Sequence, residues 1–486
     1  FVGVVDRTSQ YIRLYKNGGQ VGSNYIGSYG SIDVNDNLTI GKDTWGWPDA
    51  RIEEVRVSNT ARSADWIKTE WYNQNGSVAF YTLGDDSCET EYSYQYCQKI
   101  TIDHNKVSGS SHDNFPLLVK LTTDDLKWVN NGGLVENEFG YDIAFKDENC
   151  TMLDYELESY DKDTGTLAAW VRIPSLSGST DTEIYMYYGN PFIDCPSDNP
   201  TGVWNSYYQA VYHLNDDFQD STSNDRDGTN HGATFATGKI GKGALFDPTD
   251  GYDYIDIGTW SVSGDDITIQ AWVYPENFNQ NDPRIVSKCD DDSASEDNHV
   301  FMLSLYNGNN GENRLRFRIR GTYDNSYDEC IGGTSCDPYN CVSPCYWNTV
   351  WYTVTDTVTL YGSDPNGYLP TAQAWYFVAG TYEDDNSTEM QLYRDDGLNA
   401  GGRDHNGNLV TNTWDIWIGA NPYGSNNTEY SWHGVIDEVR ILSMDLPQDW
   451  LRTEYNNIND PSSFYSLGSC TRAITPVTSE WREEIQ

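Results

Sequence analysis

The sequence predicts an all-β protein built from sandwich modules, and three observations carry that expectation. Tyr (36) and Trp (17) are abundant, Thr is frequent, and Gly (42) and Asn interrupt the chain throughout its 486 residues. β-Branched and aromatic side chains suit pleated, half-buried surfaces. Short runs of alternating apolar and polar residues lie between turn residues, the period of a strand with one face inward. Finally, one block near the N-terminus recurs near the C-terminus, so a module is duplicated.

The duplication is legible residue by residue. Phe1-Val2 corresponds to Phe377-Val378, Leu14-Tyr15-Lys16-Asn17 to Leu392-Tyr393-Arg394-Asp395, and Ile40-Gly41 to Ile418-Gly419. Ile52-Glu53-Glu54-Val55-Arg56-Val57 corresponds to Ile436-Asp437-Glu438-Val439-Arg440-Ile441. Asp65-Trp66-Ile67-Lys68-Thr69-Glu70 corresponds to Asp449-Trp450-Leu451-Arg452-Thr453-Glu454, and Phe80-Tyr81-Thr82-Leu83-Gly84 to Phe464-Tyr465-Ser466-Leu467-Gly468. Each copy holds one helical stretch, at 64–73 and 448–457, among strand-like runs; two sheets with a short helix read as a β-sandwich. The second copy carries an extension, 204–376, that the first lacks. Residues 1–84 therefore read as the C-terminal half of a sandwich, to be covered by upstream sequence or by another chain. The chain starts at Phe1 without a signal segment, the expectation for a processed product or a fragment.

Between the copies, residues 96–191 show strand patterns of their own, such as Lys99-Ile100-Thr101-Ile102 and Ala169-Trp170-Val171-Arg172-Ile173. The expected organisation is a half sandwich at 1–86, a small β module at 87–203, a complete sandwich at 204–470 with a Cys-rich insertion at 321–356, and a tail at 471–486.

Charge and cysteines bound the function. With 74 acidic against 30 basic residues the net charge is −44, a field that repels phosphate backbones and excludes nucleic-acid binding. No apolar run is long enough for a bilayer span. The ten cysteines form no zinc-type pairs. Cys330, Cys336, Cys341 and Cys345 crowd one Tyr- and Gly-rich insertion with little apolar content, so disulfides are expected there, among these four or with Cys289. Disulfides place the protein outside the cell or on its surface.

Two ordered sets of motifs carry a resemblance. Gly241-Lys242-Gly243-Ala244-Leu245-Phe246-Asp247, Tyr254-Ile255-Asp256-Ile257-Gly258, Ala271-Trp272-Val273-Tyr274-Pro275, Leu392-Tyr393-Arg394-Asp395 and Ile436-Asp437-Glu438-Val439-Arg440 resemble the laminin-G-like branch of the concanavalin A-like lectin/glucanase superfamily. The resemblance covers about 206–469 in full and 1–84 as a half, and implies concanavalin A-like β-sandwich (jelly roll) modules around a smaller β-sandwich. Tyr155-Glu156-Leu157-Glu158, Ala169-Trp170-Val171 and Tyr187-Tyr188-Gly189-Asn190 resemble a family of unknown function that recurs beside such sandwiches in prokaryotic surface proteins.

Catalytic chemistry is not evident. The Glu-x-Asp-x-x-Glu strand of the superfamily's glucanases is absent. Asp437 and Glu438 alternate across a strand and should face opposite ways, while Glu156 and Glu158 share a face that reads as plain surface. Asp217, Asp220, Asp225 and Asp227 cluster oxygen ligands on one turn-rich loop, and the resemblance implies that a structural calcium joins such a loop to Asp437. The alternative is a solvated acidic loop with Asx turns. Arg314, Arg316, Arg318 and Arg320 share one strand face. They read either as cross-strand partners of acidic neighbours or as a dock for an acidic glycan or another copy. Tyr339, Tyr346, Trp347 and Trp351 on the insertion could stack on sugars or form its own small core.

The expected function is a non-enzymatic extracellular or cell-surface structural and adhesive protein, a subunit of a filament or layer completed by neighbouring copies. A carbohydrate-binding array and an accessory region of a polysaccharide hydrolase are the alternatives.

Overall fold

The computed structural model describes residues 1–27, 55–75, 94–249, 251–262, 264, 266–289, 299–307, 313–331, 346–361, 369–383, 390–403, 408–422 and 430–470. Two units divide the chain, Phe1–Ser87 and Cys88–Gln486.

In the first unit, β1 (Val2–Asp6), β2 (Tyr11–Lys16) and β3 (Gly19–Tyr25) form an antiparallel meander, with helix α1 at Ala64–Asn75. Val4, Tyr15 and Ile67 make its small core. Leu14, Val21, Tyr25 and Val57 stay 49%, 58%, 58% and 80% exposed, so much apolar surface faces outward.

The second unit holds two sandwiches. The smaller one contains β4 (Tyr96–Ile102), β5 (Ser111–Thr122), β6 (Ala144–Asp147), β7 (Tyr155–Asp161), β8 (Thr166–Ser177) and β9 (Thr182–Tyr188). Helix α2 (Pro200–Val203) then leads into the larger one. Its strands are β10 (Tyr208–Tyr212), β11 (Thr229–His231), β12 (Thr234–Thr237), β13 (Lys242–Phe246), β14 (Tyr254–Asp256), β15 (Ile267–Pro275), β16 (Arg284–Cys289), β17 (His299–Tyr306), β18 (Arg314–Ile331), β19 (Tyr346–Tyr361), β20 (Tyr376–Tyr382), β21 (Met390–Arg394), β22 (Gly397–Arg403), β23 (Asn408–Leu409), β24 (Asp415–Ile418) and β25 (Gly434–Leu442). Helix α3 (Gln448–Asn459), the single turn α4 (Pro461–Phe464) and β26 (Tyr465–Ser469) close the described chain.

The larger sandwich packs an inner sheet, ordered β12-β13-β25-β15-β20-β21-β22 with β10 also on β25, against an outer sheet, ordered β11-β14-β24-β16-β17-β18-β19 with β23 on β18. Ile267, Ile269, Ala271 and Val273 of β15 and Leu315, Phe317 and Ile319 of β18 meet in its core. The all-β expectation holds, and the meander β20-β21-β22 followed by β25 and α3 repeats the β1-β2-β3 and α1 order of the first unit.

The end of the repeat crosses over to the other sandwich. β26 pairs with β4, Tyr465 opposite Ile102, in a sheet ordered β26-β4-β9-β6 that faces a sheet ordered β5-β8-β7. Phe464 and Tyr465 fill the small module's core beside Ile100 and Phe115, and a disulfide joins Cys97 to Cys470. β9 pairs with one edge of β4, and the strand that fills its other edge is drawn from the far end of the chain.

A third core welds the sandwiches. Leu118, Ala168 and Trp170 of the small module meet Val211, Trp272, Phe377, Tyr393 and Leu442 of the inner sheet, with Leu451 and Ile458 of α3 between. Period-two alternation explains it: Ile269, Ala271 and Val273 point into the sandwich, while Trp272 points to the neighbour.

Candidate functional site

The weld contains a buried charge network that the sequence did not announce. His213, just past β10, places Nδ1 2.8 Å from Glu438 Oε1 and Nε2 3.2 Å from Glu156 Oε2. Glu156 also accepts from Trp204 Nε1 (2.6 Å) and Ser221 Oγ (2.6 Å), and Glu158 accepts from Trp170 Nε1 (2.9 Å). Arg440 donates to Glu438 (2.6 Å) and to Glu454 of α3, which also accepts from Gln270 (2.7 Å). The Arg440 guanidinium lies 4.3 Å and 4.7 Å from the ring centres of Trp170 and Trp204. The side chains of Glu158 and Glu438 are both 1% exposed.

Two sequence expectations fail here. Glu156 and Glu158 are not plain surface, because the face of β7 they share lies in the weld. Asp437 and Glu438 do not point to opposite faces. Glu438 adopts φ 52° and the register with β15 slips between Gln270 and Trp272, so a β-bulge turns both residues outward from the sandwich core. The bulge was invisible to alternation counting, although three charges in the otherwise apolar run Val435-Ile436-Asp437-Glu438-Val439-Arg440-Ile441-Leu442 were a usable signal.

The electrostatics follow from burial. Burial pushes Glu158 up to about 8, and the nearby Glu438 adds to it. Asp437 is raised well above the carboxylate range by burial and by Glu438. Burial pulls His213 down, but Glu438 and Glu156 outweigh it and hold the imidazole well above its ordinary value. Burial raises Glu156, yet His213 and its hydrogen bonds win and leave it lowered. Glu158, His213 and Glu438 offer ligand atoms within 4.8 Å of one another, but both ring nitrogens face carboxylates, so protonated His213 is itself the cation of this cage.

The expected calcium ligands are not brought together. Asp220 accepts from the amides of Val211, Thr222 and Arg226 and from Thr222 Oγ1. Asp227 accepts from Asp220 N, and Asp437 from the amides of Lys239, Ile240 and Glu438. These carboxylates brace turns, as Asx-type loops do. Asp217 and Asp225 are exposed, and among the described residues no three of the five form a ligand group.

The arginine ladder lies on the outer sheet's outward face, but its middle is sunk rather than solvated. Arg316 and Arg318 are each 3% exposed, whereas Arg314 and Arg320 at the ends are half-buried. Arg316 and Arg284 share the carboxylate of Asp282. Arg316 also donates to Ser304 Oγ (3.0 Å) and reaches Met302 Sδ (3.6 Å), and Arg318 donates to His299 Nδ1 (3.3 Å). Asn421 Oδ1 is approached by Arg284 Nε (3.4 Å), Ser287 Oγ (2.9 Å), Cys289 Sγ (3.2 Å) and His299 Nε2 (3.1 Å). Burial, then Arg284, Arg318 and Arg316, hold His299 well below its ordinary value, so it is neutral. Burial lowers Arg316 to about 10, with Arg284 adding to it, which still leaves it charged. Tyr306, 39% exposed, lies over Arg316 (5.4 Å) and packs on Tyr361 (5.4 Å), and Tyr430 lies over Arg284 (4.9 Å).

Cys289, also expected as a partner of the insertion's cysteines, is buried with its Sγ 3.2 Å from Asn421 Oδ1 inside this face. Cys330 is the penultimate residue of β18, opposite Trp347, while Cys336, Cys341, Cys345 and Tyr339 lie outside the described residues. Tyr346, Trp347 and Trp351 belong to β19.

Comparison with known proteins agrees with the architecture. The family described as the concanavalin A-like lectin/glucanases superfamily matches residues 1–68, 249–361 and 345–452. A domain of unknown function (DUF2341) matches 140–230, across the weld. No curated protein matches the sequence. Among solved structures, domain 4 of AbnA, a GH43 extracellular arabinanase from Geobacillus stearothermophilus in complex with arabinotriose, is 20% identical over 51% of this chain and 98% of its own, with a TM-score of 0.34. The heptameric SAP-like pentraxin of Limulus polyphemus is 14% identical over 40% and 72%, TM-score 0.26. The binding domain of Paraclostridial Mosquitocidal Protein 1 is 13% identical over 51% of each chain, TM-score 0.33. Since the first family's match spans more than half of its residues, this chain belongs to the concanavalin A-like lectin/glucanases superfamily.

Proposed function

We propose that this chain is a non-enzymatic adhesive protein of the cell surface or extracellular space, whose larger sandwich binds glycan on its outward sheet face. The observation that carries this reading is the arginine floor of Arg284 and Arg316 under the rim of Tyr306, Tyr361 and Tyr430. Aromatic rings beside convergent polar groups suit sugar rings and their hydroxyls. The small module acts as a rigid mount, because a shared core, a donated strand and a disulfide fix it to the sandwich. The disulfide supports an oxidising location, and no helix among the described residues is long and apolar enough to cross a membrane. A non-catalytic role is supported by the weld's carboxyls, which are closed off from any substrate. A glycan array probed with the full chain tests it: binding with no release of reducing ends from the same glycans is expected, and absence of all binding overturns it.

A second reading, self-association into a filament or layer, is favoured by the exposed Leu14, Val21, Tyr25 and Val57 of the first unit. Sedimentation and electron microscopy over a concentration series check it; a monomer at every concentration rejects it.

A further inference from the structure

Resting on the glycan-binding reading, we propose that the outward sheet face is specific for glycans bearing carboxylates, with Arg316 and Arg284 as the floor that recognises the acid. Among the described residues, several donors on this face converge on two acceptor groups. One carboxylate, Asp282, serves two guanidinium groups. One amide oxygen, Asn421 Oδ1, is approached by four donors although it has two lone pairs. The Arg316 Nη2 that donates to Asp282 also reaches the weak acceptor sulfur of Met302. Buried donors that settle for poor or shared acceptors are stabilised by a new anionic one.

The chemistry of the floor selects the class of anion. A guanidinium fork meets a carboxylate through two parallel hydrogen bonds, which makes Arg the side chain for planar acids. The rim adds what a sugar ring needs: Tyr306 stands partly exposed over Arg316, with Tyr361 packed on its flank. Arg314 and Arg320, at the two half-buried ends of the ladder, extend the positive face toward solvent. A neutral sugar uses the rim but leaves the donor surplus unrelieved. A net charge of −44 repels an anionic polymer from the body as a whole, so affinity for one reports local recognition rather than bulk attraction.

The test uses the full chain with two probes of one backbone, polygalacturonate and its methyl ester, by isothermal titration at low and physiological salt. Polygalacturonate is expected to bind at least ten-fold tighter than the ester. The rim variant Arg320→Gln should weaken the acid several-fold while leaving the ester unchanged. The floor variant Arg316→Gln should abolish the preference, with its melting curve checked because Asp282 loses a partner. Equal binding of acid and ester overturns the acidic specificity and leaves the glycan-binding reading intact. Binding of neither probe, nor of any arrayed glycan, overturns both. Salt-dependent self-association that the Arg320→Gln variant loses, without glycan binding, assigns the face to another copy instead.

Discussion

His213 and Glu438 stand 2.8 Å apart inside the weld, and the same ring reaches Glu156 across the module boundary at 3.2 Å. One imidazolium thus ties β7 of the small module to β25 of the sandwich. Both partners are buried, so each is stable as a charge only through its ion pairs, His213 with Glu438 and Glu156, and Glu438 with His213 and Arg440.

Replacing His213 with Asn should leave Glu156 and Glu438 buried without their shared cation. Removing one member of a buried pair costs about 3–5 kcal/mol. The expected result is a large fall in the melting temperature of the second unit. A variant melting like the parent contradicts the clasp.

Stability should peak at mildly acidic pH and fall toward alkaline pH. His213 has a raised folded value, so its contribution is complete below its ordinary 6.5 and is lost as pH rises through the folded one. Glu158 is an acid raised from 4.5 to about 8, so the folded state holds a proton that the unfolded state releases, and stability falls across that window. Glu156, lowered, works in the other direction and its contribution is lost as pH falls. Melting temperature against pH should show this asymmetry, and Glu158→Gln should flatten the alkaline limb. A parent curve that rises from pH 6 to pH 9 contradicts it.

The Cys97–Cys470 bond should matter to the small module, although Cys470 follows the sandwich in sequence. Cys470→Ser should cost about 2–4 kcal/mol and increase hydrogen exchange first in β26 and β4. Non-reducing peptide mapping should recover the 97–470 pair.

Phe464→Ala should destabilise by about 3–5 kcal/mol as a deleted core aromatic. The loss should register in β5 and β9 of the small module before the sandwich.

Asp220→Ala should cost about 1–3 kcal/mol through the orphaned amides of Val211, Thr222 and Arg226. A chelator added to the parent should not reproduce that loss; a matching drop in melting temperature would restore calcium as the loop's organiser.

The sequence by itself determined the β class, the duplicated block and the helix that follows β25, because period-two alternation and repeated motifs are local properties. It also placed Arg314 to Arg320 on one face of one strand. Tertiary structure alone decided what those faces meet. Whether Glu156 is solvated depends on His213 and Glu438, which are 57 and 282 positions away, and on a bulge that period-two alternation does not show, marked in the fold by a positive φ at Glu438. Likewise Tyr465 reads as the last strand of the sandwich repeat, yet it completes the small module, because an open sheet edge is filled by whichever strand the packed helix α3 delivers to it.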